Sequence, residues 1–507
     1  MQTVISLDIG STGTKACLIN QTGKILAATY QRYNTYTDGR NVEQAPLDWW
    51  QAVCTGINEL TKDQDLKNLE AIVLSGQMQN LILVEPEYPR TILYSDTRAE
   101  AEAILVDKIL STKNLNEITG NLQDASSLLA KLLWIKKNWP DAYRQSNGLL
   151  FGAHDYIAWK MTGAKIVDFT TASTTGLFCL NRNSWADQFF DELDLRQDWL
   201  PQLTSAGEIV GYLSDPAAQA CGLPAGLPVI EGAGDAATAT MGSGAGEPGQ
   251  IYVYLGTSGW LAGTVSGEPV DPQTGIFNLR HPNPDYLIQI GPMITAAGNF
   301  EWLKRVFGEL ETKAVGKPED QAYELINQIA SIAPAGSHGL LYLPYLAGER
   351  APFRDANARG SFIGLNFSTE RGDIYRSVLE GVAFSMRSIY QAMILENHTP
   401  GRITLTGGGA NSTLWAQIFA DIFNCKVCIL QDPANVGTRG AAMIAGRTLQ
   451  WFHEANQIEQ FYPVDKSFSP HPENAAVYDQ IFPIFCQAYP GLKPVFDKMA
   501  SAGLHSR

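Results

Sequence analysis

The chain sets one carboxylate and several hydroxyl groups among glycines directly after its first apolar run. Residues 4–7 are followed by Asp8-Ile9-Gly10-Ser11-Thr12-Gly13-Thr14-Lys15. A carboxylate at the end of a buried strand opens into the crevice beyond a sheet edge, where the ligands of α/β proteins collect. The glycines let the backbone approach an anion, and the hydroxyls add donors. The segment predicts a phosphate-binding loop in which Asp8 holds Mg²⁺ through water, with an ordinary hairpin turn as the alternative.

A second segment repeats this pattern 246 residues further along the chain. Gly256-Thr257-Ser258-Gly259 lies between the apolar runs 251–255 and 260–265. Because the offset is close to half of the 507 residues, the simplest interpretation is two related halves that each open with strand, turn and strand. The second copy favours phosphate binding by both loops over two unrelated turns.

Two further turns offer chemistry at predicted strand ends. Gly232-Ala233-Gly234-Asp235 ends the strand 228–231, and small residues around Asp235 would let a substrate hydroxyl reach it as a general base. A helix N-cap at Asp235 is the alternative. Gly407-Gly408-Gly409-Ala410-Asn411-Ser412 stands between the strand 403–405 and the helix 414–423. A purine or a phosphate could lie against its backbone, and a ligand-free turn is the alternative.

The composition limits the classes of partner. With 45% hydrophobic and 18% charged residues, the chain is globular rather than disordered. A net charge of −15 argues against non-specific binding of nucleic acid or anionic membranes, so any phosphate must be held by local N–H groups or a metal ion. Seven scattered cysteines indicate free thiols in a reducing compartment. With neither a signal peptide nor a long apolar run visible, we expect a cytoplasmic protein.

The elements that position these segments follow from apolar periodicity. The runs 4–7, 15–19 and 24–30 predict a three-stranded β-meander. Pro46 begins a helix whose apolar stripe includes Trp50, Val53 and Ile57. Further helices are predicted over 98–110, 127–138 and 370–397, and a strand over 71–74. The glycine-rich stretch 242–249 predicts a domain boundary, which gives an N-terminal domain of residues 1–244 and a C-terminal domain of residues 245–507.

Motifs of the later half carry a family resemblance. Gly360-Ser361-Phe362-Ile363-Gly364-Leu365 is followed after seven residues by Asp373-Ile374 and then by Ser377-Val378-Leu379-Glu380. Together with the glycine loops, these motifs resemble the FGGY carbohydrate kinases, and among them the xylulokinases most closely, over about residues 3–447. The resemblance implies an α/β fold of two actin-like (ribonuclease H-like) ATPase domains, with ATP bound in the cleft between them.

The resemblance also implies a role for each segment. Asp8 and Asp235 would be catalytic, Asp8 with Mg²⁺ and Asp235 as the general base on the sugar. The loops at residues 10–15 and 256–259 would hold the phosphates of ATP. The implied adenosine contacts are Gly408, Gly409 and Asn411, and the implied sugar contacts are Gln77, Met78, Gln79, Asp96 and Asp235.

Two departures from the xylulokinase pattern fall at sugar positions. Gln79-Asn80 stands where His-Gly is usual, and Tyr94-Ser95 stands where Trp and a second residue, often Asn, precede the aspartate. The expected activity is ATP-dependent phosphorylation of D-xylulose to D-xylulose 5-phosphate. The alternatives are a kinase for another sugar, sugar acid or polyol such as ribulose or gluconate, an actin-like ATPase, or a sugar-sensing regulator without kinase turnover.

The expected ligands are a small sugar, ATP and Mg²⁺, with neither nucleic acid nor a membrane as partner. Assembly as a homodimer is left open. The residues after about Phe461 show no motif.

Overall fold

The computed structural model describes residues 1–110, 113–315, 321–393, 400–452 and 455–504. The chain folds as two compact units: unit 1 comprises residues 1–246, 278–288 and 434–463, and unit 2 comprises residues 247–277, 289–433 and 464–507. The first break falls within the predicted boundary stretch 242–249. The segments 278–288 and 434–463, predicted to lie in a continuous C-terminal domain, belong to unit 1.

The elements are numbered in chain order. The strands of the described chain are β1 (Thr3–Ile9), β2 (Gly13–Asn20), β3 (Ile25–Arg32), β4 (Tyr36–Asp38), β5 (Asn41–Gln44), β6 (Leu69–Gly76), β7 (Ile82–Val84), β8 (Thr91–Ile92), β9 (Gly148–Leu150), β10 (Ile166–Asp168), β11 (Phe178–Cys179), β12 (Ser184–Trp185), β13 (Gln202–Thr204), β14 (Ile209–Tyr212), β15 (Pro228–Gly234), β16 (Ile251–Leu255), β17 (Gly259–Val265), β18 (Phe277–Arg280), β19 (Leu287–Met293), β20 (Leu341–Leu343), β21 (Ser361–Ile363), β22 (Arg402–Thr406), β23 (Lys426–Leu430) and β24 (Val464–Phe468).

The helices of the described chain are α1 (Pro46–Thr61), α2 (Glu100–Leu110), α3 (Leu115–Thr119), α4 (Leu128–Asn138), α5 (Pro140–Gln145), α6 (Ala153–Thr162), α7 (Phe169–Ala172), α8 (Asp187–Glu192), α9 (Asp215–Cys221), α10 (Asp235–Gly242), α11 (Ala297–Phe307), α12 (Glu309–Val315), α13 (Gln321–Ile332), α14 (Arg371–Ala392), α15 (Thr413–Phe423), α16 (Val436–Thr448) and α17 (Pro472–Ser501). Short 3₁₀ segments occur at Pro272–Thr274, Ser337–Gly339, Gly408–Asn411, Pro433–Asn435 and Ala455–Phe461.

The large sheet of unit 1 brings three strand ends to one edge. Its order is β14-β15-β6-β1-β2-β3, and β1, β6 and β15 run parallel. Gly76 pairs with Ile9 on one side and with Gly234 on the other. The residues that follow these strands, among them Gln77 and Asp235, therefore leave the sheet side by side. The antiparallel pairing of β1, β2 and β3 confirms the predicted meander.

Helices cover both faces of this sheet. Ile5 and Leu7 of β1 belong to a core that includes residues of α1, α6 and α9. Ser6, between them, donates a hydrogen bond to the carbonyl oxygen of Thr438 in α16 at 2.7 Å. Because successive side chains of a strand point to opposite faces, α16 lies on the face opposite that core. Helix α1 begins at Pro46 as predicted, but Trp49 rather than Trp50 is its fully buried tryptophan.

The second large sheet lies mainly in unit 2. Its order is β18-β19-β17-β16-β22-β23-β24, in which β16, β22 and β23 are parallel. Tyr254 pairs with Thr406, so the loops after β16 and β22 leave this sheet at the same edge. The residues after Phe461 add the antiparallel edge strand β24 and the helix α17, which packs on α14 and α15.

The long helix α14 begins close to its predicted start. Asp373 Oδ2 accepts a hydrogen bond from the N–H of Glu370 at 2.9 Å, which closes the first turn. The helix ends at Ala392, before the predicted end at Asn397, and residues 394–399 lie outside the described residues. Among the helices that the structure describes, none combines the length and hydropathy needed to cross a membrane.

Candidate active site

One cavity in unit 1 gathers most of the predicted sugar contacts. Its volume is about 240 Å³. Sites for drug-sized ligands usually span about 300–1,000 Å³, so this cavity suits a smaller molecule. Its walls come from the loops after β1, β6 and β8, the segment after α7 and the start of α10: Ser11, Gln77, Met78, Gln79, Tyr94, Thr174 and Asp235.

Asp235 is the first residue of α10, immediately after β15. A Cβ on the preceding Gly234 would stand 2.1 Å from the Sδ atom of Met78, so the glycine lets the Met78 side chain approach closely. The pKa of Asp235 is raised to about 7, mainly by burial and secondly by the negative charge of Asp8. His154 has the opposite, lowering effect on this pKa. A carboxyl group with this pKa can accept a proton from a ligand near neutral pH.

A buried amide network fixes Gln77 in the cavity wall. Gln44 Oε1 accepts hydrogen bonds from Gln77 Nε2 and Trp49 Nε1, both at 2.9 Å. Gln44 Nε2 donates to the carbonyl oxygen of Ser11 at 2.7 Å. With its amide nitrogen held, Gln77 keeps a buried Oε1 that has no hydrogen-bond partner among the described residues. A hydroxyl group of a ligand would supply the missing donor.

Gln79 and Tyr94, which depart from the xylulokinase pattern, both line the cavity. Gln79 has a φ of 61°, a left-handed conformation that is uncommon for a residue with a side chain and that clusters at binding sites. Tyr94 is held through its backbone, because the buried Lys131 ammonium donates to the carbonyl oxygens of Leu93 at 2.7 Å and of Tyr94 at 3.2 Å. Burial lowers the pKa of Lys131 to about 7.

Asp96, a predicted sugar contact, is not among the residues that line this cavity. Its fully buried carboxylate accepts hydrogen bonds from the Arg98 guanidinium at 2.7–3.0 Å and from the Val42 N–H at 2.6 Å. Both carboxylate oxygens are therefore occupied by donors of the protein. In this arrangement Asp96 positions the loop that carries Tyr94.

The first glycine loop is closed by hydrogen bonds around its backbone. The Gly10 N–H donates to the Gly13 carbonyl oxygen at 3.1 Å, and the Tyr33 hydroxyl donates to the Gly10 carbonyl oxygen. Thr12 Oγ1 lies 2.9 Å from the Tyr30 hydroxyl oxygen, beside a second cavity of about 460 Å³ in the same unit. The loop is thus a preformed backbone turn next to open space.

Two residues predicted to contact ATP at the end of this loop pack elsewhere in unit 1. Thr14 is buried within β2. Lys15 Nζ donates to the carbonyl oxygen of Ala434, in the segment that returns to unit 1. Lys15 therefore ties β2 to that segment, whereas Thr14 Oγ1 is buried without a hydrogen-bond partner among the described residues.

Asp8 fits a site for a hard divalent cation. A Cβ on Gly437, near the start of α16, would stand 2.7 Å from Asp8 Oδ2, so the glycine leaves room around the carboxylate. Burial is the main cause that raises the pKa of Asp8, opposed by Lys15 and His154. The charge of Asp8 also acts on Asp235. A cation at Asp8 would relieve this repulsion, and carboxylate oxygens are ligands that Mg²⁺ prefers.

A larger cavity, of about 540 Å³, lies in unit 2 between the second glycine loop and the loop after β22. The predicted ATP contacts that line it are Gly256, Thr257, Gly408, Gly409 and Asn411. Ser258 and Gly259 are not among its lining residues, and Gly259 instead pairs with Leu255 at the start of β17. The volume lies within the range of sites for nucleotide-sized ligands.

The walls of this cavity consist of glycine backbone and aromatic rings. Nothing lies within 4 Å of a Cβ placed on Gly408, so its backbone faces open space. Phe300 and Tyr323, which also line the cavity, pack edge to face with ring centroids 5.1 Å apart. Ser412 caps α15 by accepting the Trp415 N–H at 3.1 Å. A flat, partly apolar base suits such a surface.

The sequence analysis missed a buried cluster of titratable groups in unit 1. His154 and Asp155 begin α6, Asp168 ends β10 and Glu231 lies in β15, and one ligand atom from each lies within 4.8 Å of the others. Their spacing along the chain matches no motif, and only the fold brings them together. Thr174 of the sugar cavity was also missed, although the threonine-rich stretch 170–175 was an available signal.

Family models match both halves of the chain. The N-terminal domain model of the FGGY family of carbohydrate kinases matches residues 3–242, and the C-terminal domain model of the same family matches residues 251–449. The chain therefore belongs to the FGGY family of carbohydrate kinases. It is a sugar kinase with the two-domain, actin-like (ribonuclease H-like) α/β fold of that family.

Individual relatives carry two different substrates in their names. The xylulose kinase of Bacillus subtilis (strain 168) is 29% identical over 96% of this chain and 97% of its own length, and the gluconokinase of the same strain is 28% identical over 95% and 94%. Among solved structures, gluconate kinase from Lactobacillus acidophilus gives a TM-score of 0.88 at 28% identity and covers 98% of this chain and 99% of its own. The ligand-bound xylulose kinase from the same organism gives 0.87 at 28% identity, covering 98% and 100%. The comparisons thus define the kinase class and not the sugar.

Proposed function

We propose that the protein phosphorylates a neutral keto sugar with ATP, with D-xylulose as substrate and D-xylulose 5-phosphate and ADP as products. The observation that carries this proposal is the unit 1 cavity. There a carboxyl group with a pKa of about 7 and a buried amide acceptor without a partner among the described residues line the same small space. Asp235 can take a proton from one sugar hydroxyl, and Gln77 Oε1 can accept a hydrogen bond from a second hydroxyl.

Asp235 is the general base of the proposed reaction. It accepts the proton of the attacking hydroxyl, whose oxygen forms a bond to the γ-phosphorus of ATP. The bond between that phosphorus and the β–γ bridging oxygen breaks, and ADP leaves with the electron pair. The proton stays on Asp235 until solvent takes it. Gln77 orients the sugar meanwhile by accepting a hydrogen bond at Oε1.

The unit 2 cavity is the proposed ATP site. Backbone hydrogen bonds hold its glycine loop. The Gly256 carbonyl oxygen accepts from the Ala297 N–H at 2.8 Å, and the Thr257 carbonyl oxygen accepts from the Ala296 N–H at 2.9 Å. We assign the phosphates to this loop and adenosine to Gly408, Gly409 and Asn411. Backbone N–H groups of such loops bind anions without net positive charge on the protein.

Asp8 is the proposed partner of Mg²⁺ in unit 1, beside the loop Gly10-Ser11-Thr12-Gly13. When bound, Mg²⁺ would neutralise phosphate charge during the transfer. The Asp8 carboxylate would hold the cation through water, since Mg²⁺ keeps much of its hydration.

A gluconate kinase is the second candidate, because two of the relatives described above bear that name. Gluconate is an anion, and protein sites usually bind a carboxylate with Arg or Lys. The described residues that line the unit 1 cavity include no cationic side chain, and Asp235 is negative when it is deprotonated. Charge complementarity therefore favours a neutral sugar.

A coupled assay of ADP release tests the proposal. D-xylulose, D-ribulose, gluconate and a polyol are compared with wild type and with Asp235→Asn. We expect the highest kcat/KM for D-xylulose and a loss of about 10²–10⁴-fold in kcat for the variant, with ATP affinity unchanged by calorimetry. Asp215→Asn, at the exposed first position of α9, is the matched control. A preference for gluconate overturns the substrate, and more than about a tenth of wild-type kcat in Asp235→Asn overturns the base.

A further inference from the structure

A group of buried titratable side chains among the described residues of unit 1 has no role in the proposed reaction. The histidine–carboxylate cluster consists of His154, Asp155, Asp168 and Glu231, each with at most 1% of its side chain exposed. His154 Nε2 lies 3.0 Å from Asp168 Oδ2, 3.3 Å from Asp155 Oδ1 and 3.4 Å from Glu231 Oε1. Three carboxylates thus converge on one ring nitrogen.

Backbone donors hold the outer oxygens of two of these carboxylates. Asp155 Oδ2 accepts a hydrogen bond from the Gly152 N–H at 2.6 Å. Asp168 Oδ1 accepts hydrogen bonds from the N–H groups of Thr170 at 2.9 Å and Thr171 at 3.1 Å. The other oxygen of each carboxylate is therefore turned into the cluster. Outer hydrogen bonds of this kind orient the ligands of metal ions in proteins.

Hydrogen bonding leaves Glu231 unexplained, together with Nδ1 of His154, which also has no hydrogen-bond partner among the described residues. Neither carboxylate oxygen of Glu231 has a hydrogen-bond partner among the described residues, and the same holds for Asp155 Oδ1. A single N–H of His154 can serve one acceptor, and one imidazolium charge balances one of three carboxylates. Buried carboxylates are strongly unfavourable unless they are paired or bind a metal ion. A cation inside the cluster would give one oxygen of each carboxylate a partner.

The four ligand atoms of the cluster lie within 4.8 Å of one another, and the distances from His154 Nε2 are close to those of a tetrahedral divalent metal ion. Zn²⁺ binds imidazole nitrogen and carboxylate oxygen at about 2.0–2.2 Å, so the ligand atoms of a tetrahedral site lie about 3.3–3.6 Å apart. The three separations from His154 Nε2, 3.0–3.4 Å, are close to this range. Imidazole suits zinc and other transition metals, whereas Mg²⁺ and Ca²⁺ prefer oxygen ligands alone.

We propose that the histidine–carboxylate cluster binds one Zn²⁺ ion through His154 Nε2 and one oxygen each of Asp155, Asp168 and Glu231. Four protein ligands close the coordination shell, which is typical of structural rather than catalytic zinc. The ion would join the first turn of α6 to β10 and β15. Because β15 leads directly into Asp235, the site would also hold the strand end that positions this residue. The inference goes beyond the kinase function and does not depend on the sugar.

The first test is a metal count on the full-length protein. We expect about one zinc per chain by mass spectrometry after gel filtration in metal-free buffer, and zinc X-ray absorption showing only nitrogen and oxygen neighbours at about 2.0–2.2 Å. Chelation should lower Tm by about 5 °C or more, and Zn²⁺ but not Mg²⁺ should restore it. A protein that takes up no zinc on reconstitution, or that binds zinc through sulfur, overturns the proposal.

Glu231→Gln separates a metal site from a simple ion pair. The substitution keeps the shape of the side chain and removes its charge. If the cluster holds zinc, the variant binds zinc about 10-fold or more weakly and melts below wild type in zinc-containing buffer. If His154 is the only cation there, the variant loses a repulsive charge and melts at or above wild type, which overturns the proposal.

Asp8→Ala is the control for the location of the zinc. It alters the proposed Mg²⁺ site and should keep the full zinc equivalent, whereas loss of zinc in this variant contradicts the assignment. Should Glu231→Gln fail to fold, the zinc count and the absorption spectrum of the wild-type protein still decide. None of these measurements uses kinase activity, so they succeed or fail independently of the proposed function.

Discussion

Single residues of the sugar cavity owe their properties to neighbours that are distant in sequence. Gln77 offers its acceptor because Gln44 holds its amide nitrogen. The sequence analysis could place Asp235 at a strand end, because strand and turn patterns are local, whereas Gln77 was named only through the family resemblance. It could not reveal the surroundings of Asp96, because the hydrogen bonds from Arg98 and from the Val42 N–H form only in the folded chain.

The pKa of Asp235 predicts the acid limb of the pH profile. Because burial and Asp8 raise this pKa to about 7, and because only the carboxylate form accepts a proton, kcat/KM should rise tenfold per pH unit below about pH 7 and level off above it. Asp8→Asn removes the charge that raises the pKa of Asp235 in the protein without a bound cation, so the limb of kcat/KM for Mg-ATP, which reports that form, should move to lower pH. Initial rates between pH 5 and 9 measure both profiles. A limb that stays in place in Asp8→Asn contradicts the coupling.

The same pKa predicts the stability of Asp235→Asn. A carboxyl group whose pKa is higher in the folded chain than in the unfolded chain favours folding when protonated, and this contribution is lost as pH rises through about 7. Asparagine has no such charge. We therefore expect the variant to melt above wild type at pH 8 and close to wild type near pH 4. Thermal denaturation at both pH values checks this, and an equal difference at both would contradict it.

Gln79 should tune the choice of sugar rather than phosphoryl transfer. It lines the cavity and stands where the resemblance expects His. Glutamine and histidine differ in their donors and acceptors, and mispairing one buried polar group costs about 1–3 kcal/mol, or about 5- to 150-fold in relative kcat/KM. Gln79→His should shift preference toward D-xylulose within that range, with KM for ATP unchanged. Gln51→His, at an exposed position of α1, is the control, and an unchanged ranking of sugars rules out a role in specificity.

At the scale of elements, the signature residue Glu380 connects α14 with α17. Glu380 Oε1 accepts hydrogen bonds from Arg376 Nε and the Tyr478 hydroxyl, both at 2.7 Å, and from the Gly336 N–H at 3.0 Å. Glu380 Oε2 accepts from Ser337 Oγ at 2.8 Å. The motif that carried the family resemblance thus has a structural part within unit 2. Its partner Tyr478 comes from the segment in which the sequence showed no motif.

Removing this carboxylate should destabilise unit 2. Glu380→Ala leaves Arg376 buried without its partner, which costs about 3–5 kcal/mol in the free energy of unfolding. Glu309→Ala also breaks an i,i+4 ion pair, with Lys313, but this pair is 72% and 69% exposed, so its loss should change the free energy of unfolding much less. Chemical denaturation measures the free energy of unfolding of both variants. An equal loss of this free energy in both would mean that the buried hydrogen bonds of Glu380 do not stabilise unit 2.

The elements that were predicted have their sequence signals in neighbouring residues, whereas the missed helix α17 depends on packing against distant parts of the chain. The meander β1, β2 and β3 follows from short apolar runs separated by turn residues within the first 32 positions. Helix α17 contains Pro483, Pro490 and Pro494. Proline inside a helix removes a backbone hydrogen bond, so the local sequence argues against this helix. Its buried aromatic face, packed on other elements, outweighs that signal.

At the scale of the whole chain, unit 1 is assembled from three separate segments. Asn121 Nδ2 donates to the carbonyl oxygen of Asn278 at 2.9 Å, and Thr170 Oγ1 donates to that of Arg280 at 2.7 Å. Helix α16 returns to the same unit from residue 436. The repeated glycine loops indicated two halves, but no local pattern shows that a helix of the second half completes the first unit. Such long-range contacts are a property of the fold alone.

A chain that ends before Pro472 should lose the stability of unit 2. Helix α17 buries Tyr478, Phe482 and Phe485 around Phe384 of α14, with ring centroids 5.3–6.1 Å apart. Burying each such side chain contributes about 1.5–3 kcal/mol, so losing three removes about 5–9 kcal/mol, which is comparable to the about 5–15 kcal/mol stability of a whole domain. Calorimetry should show the melting transition of unit 2 lost or strongly lowered, together with ATP binding. A chain that ends after Leu504 keeps all of α17 and is the control, and a full-sized transition in the shorter chain would show that α17 is dispensable.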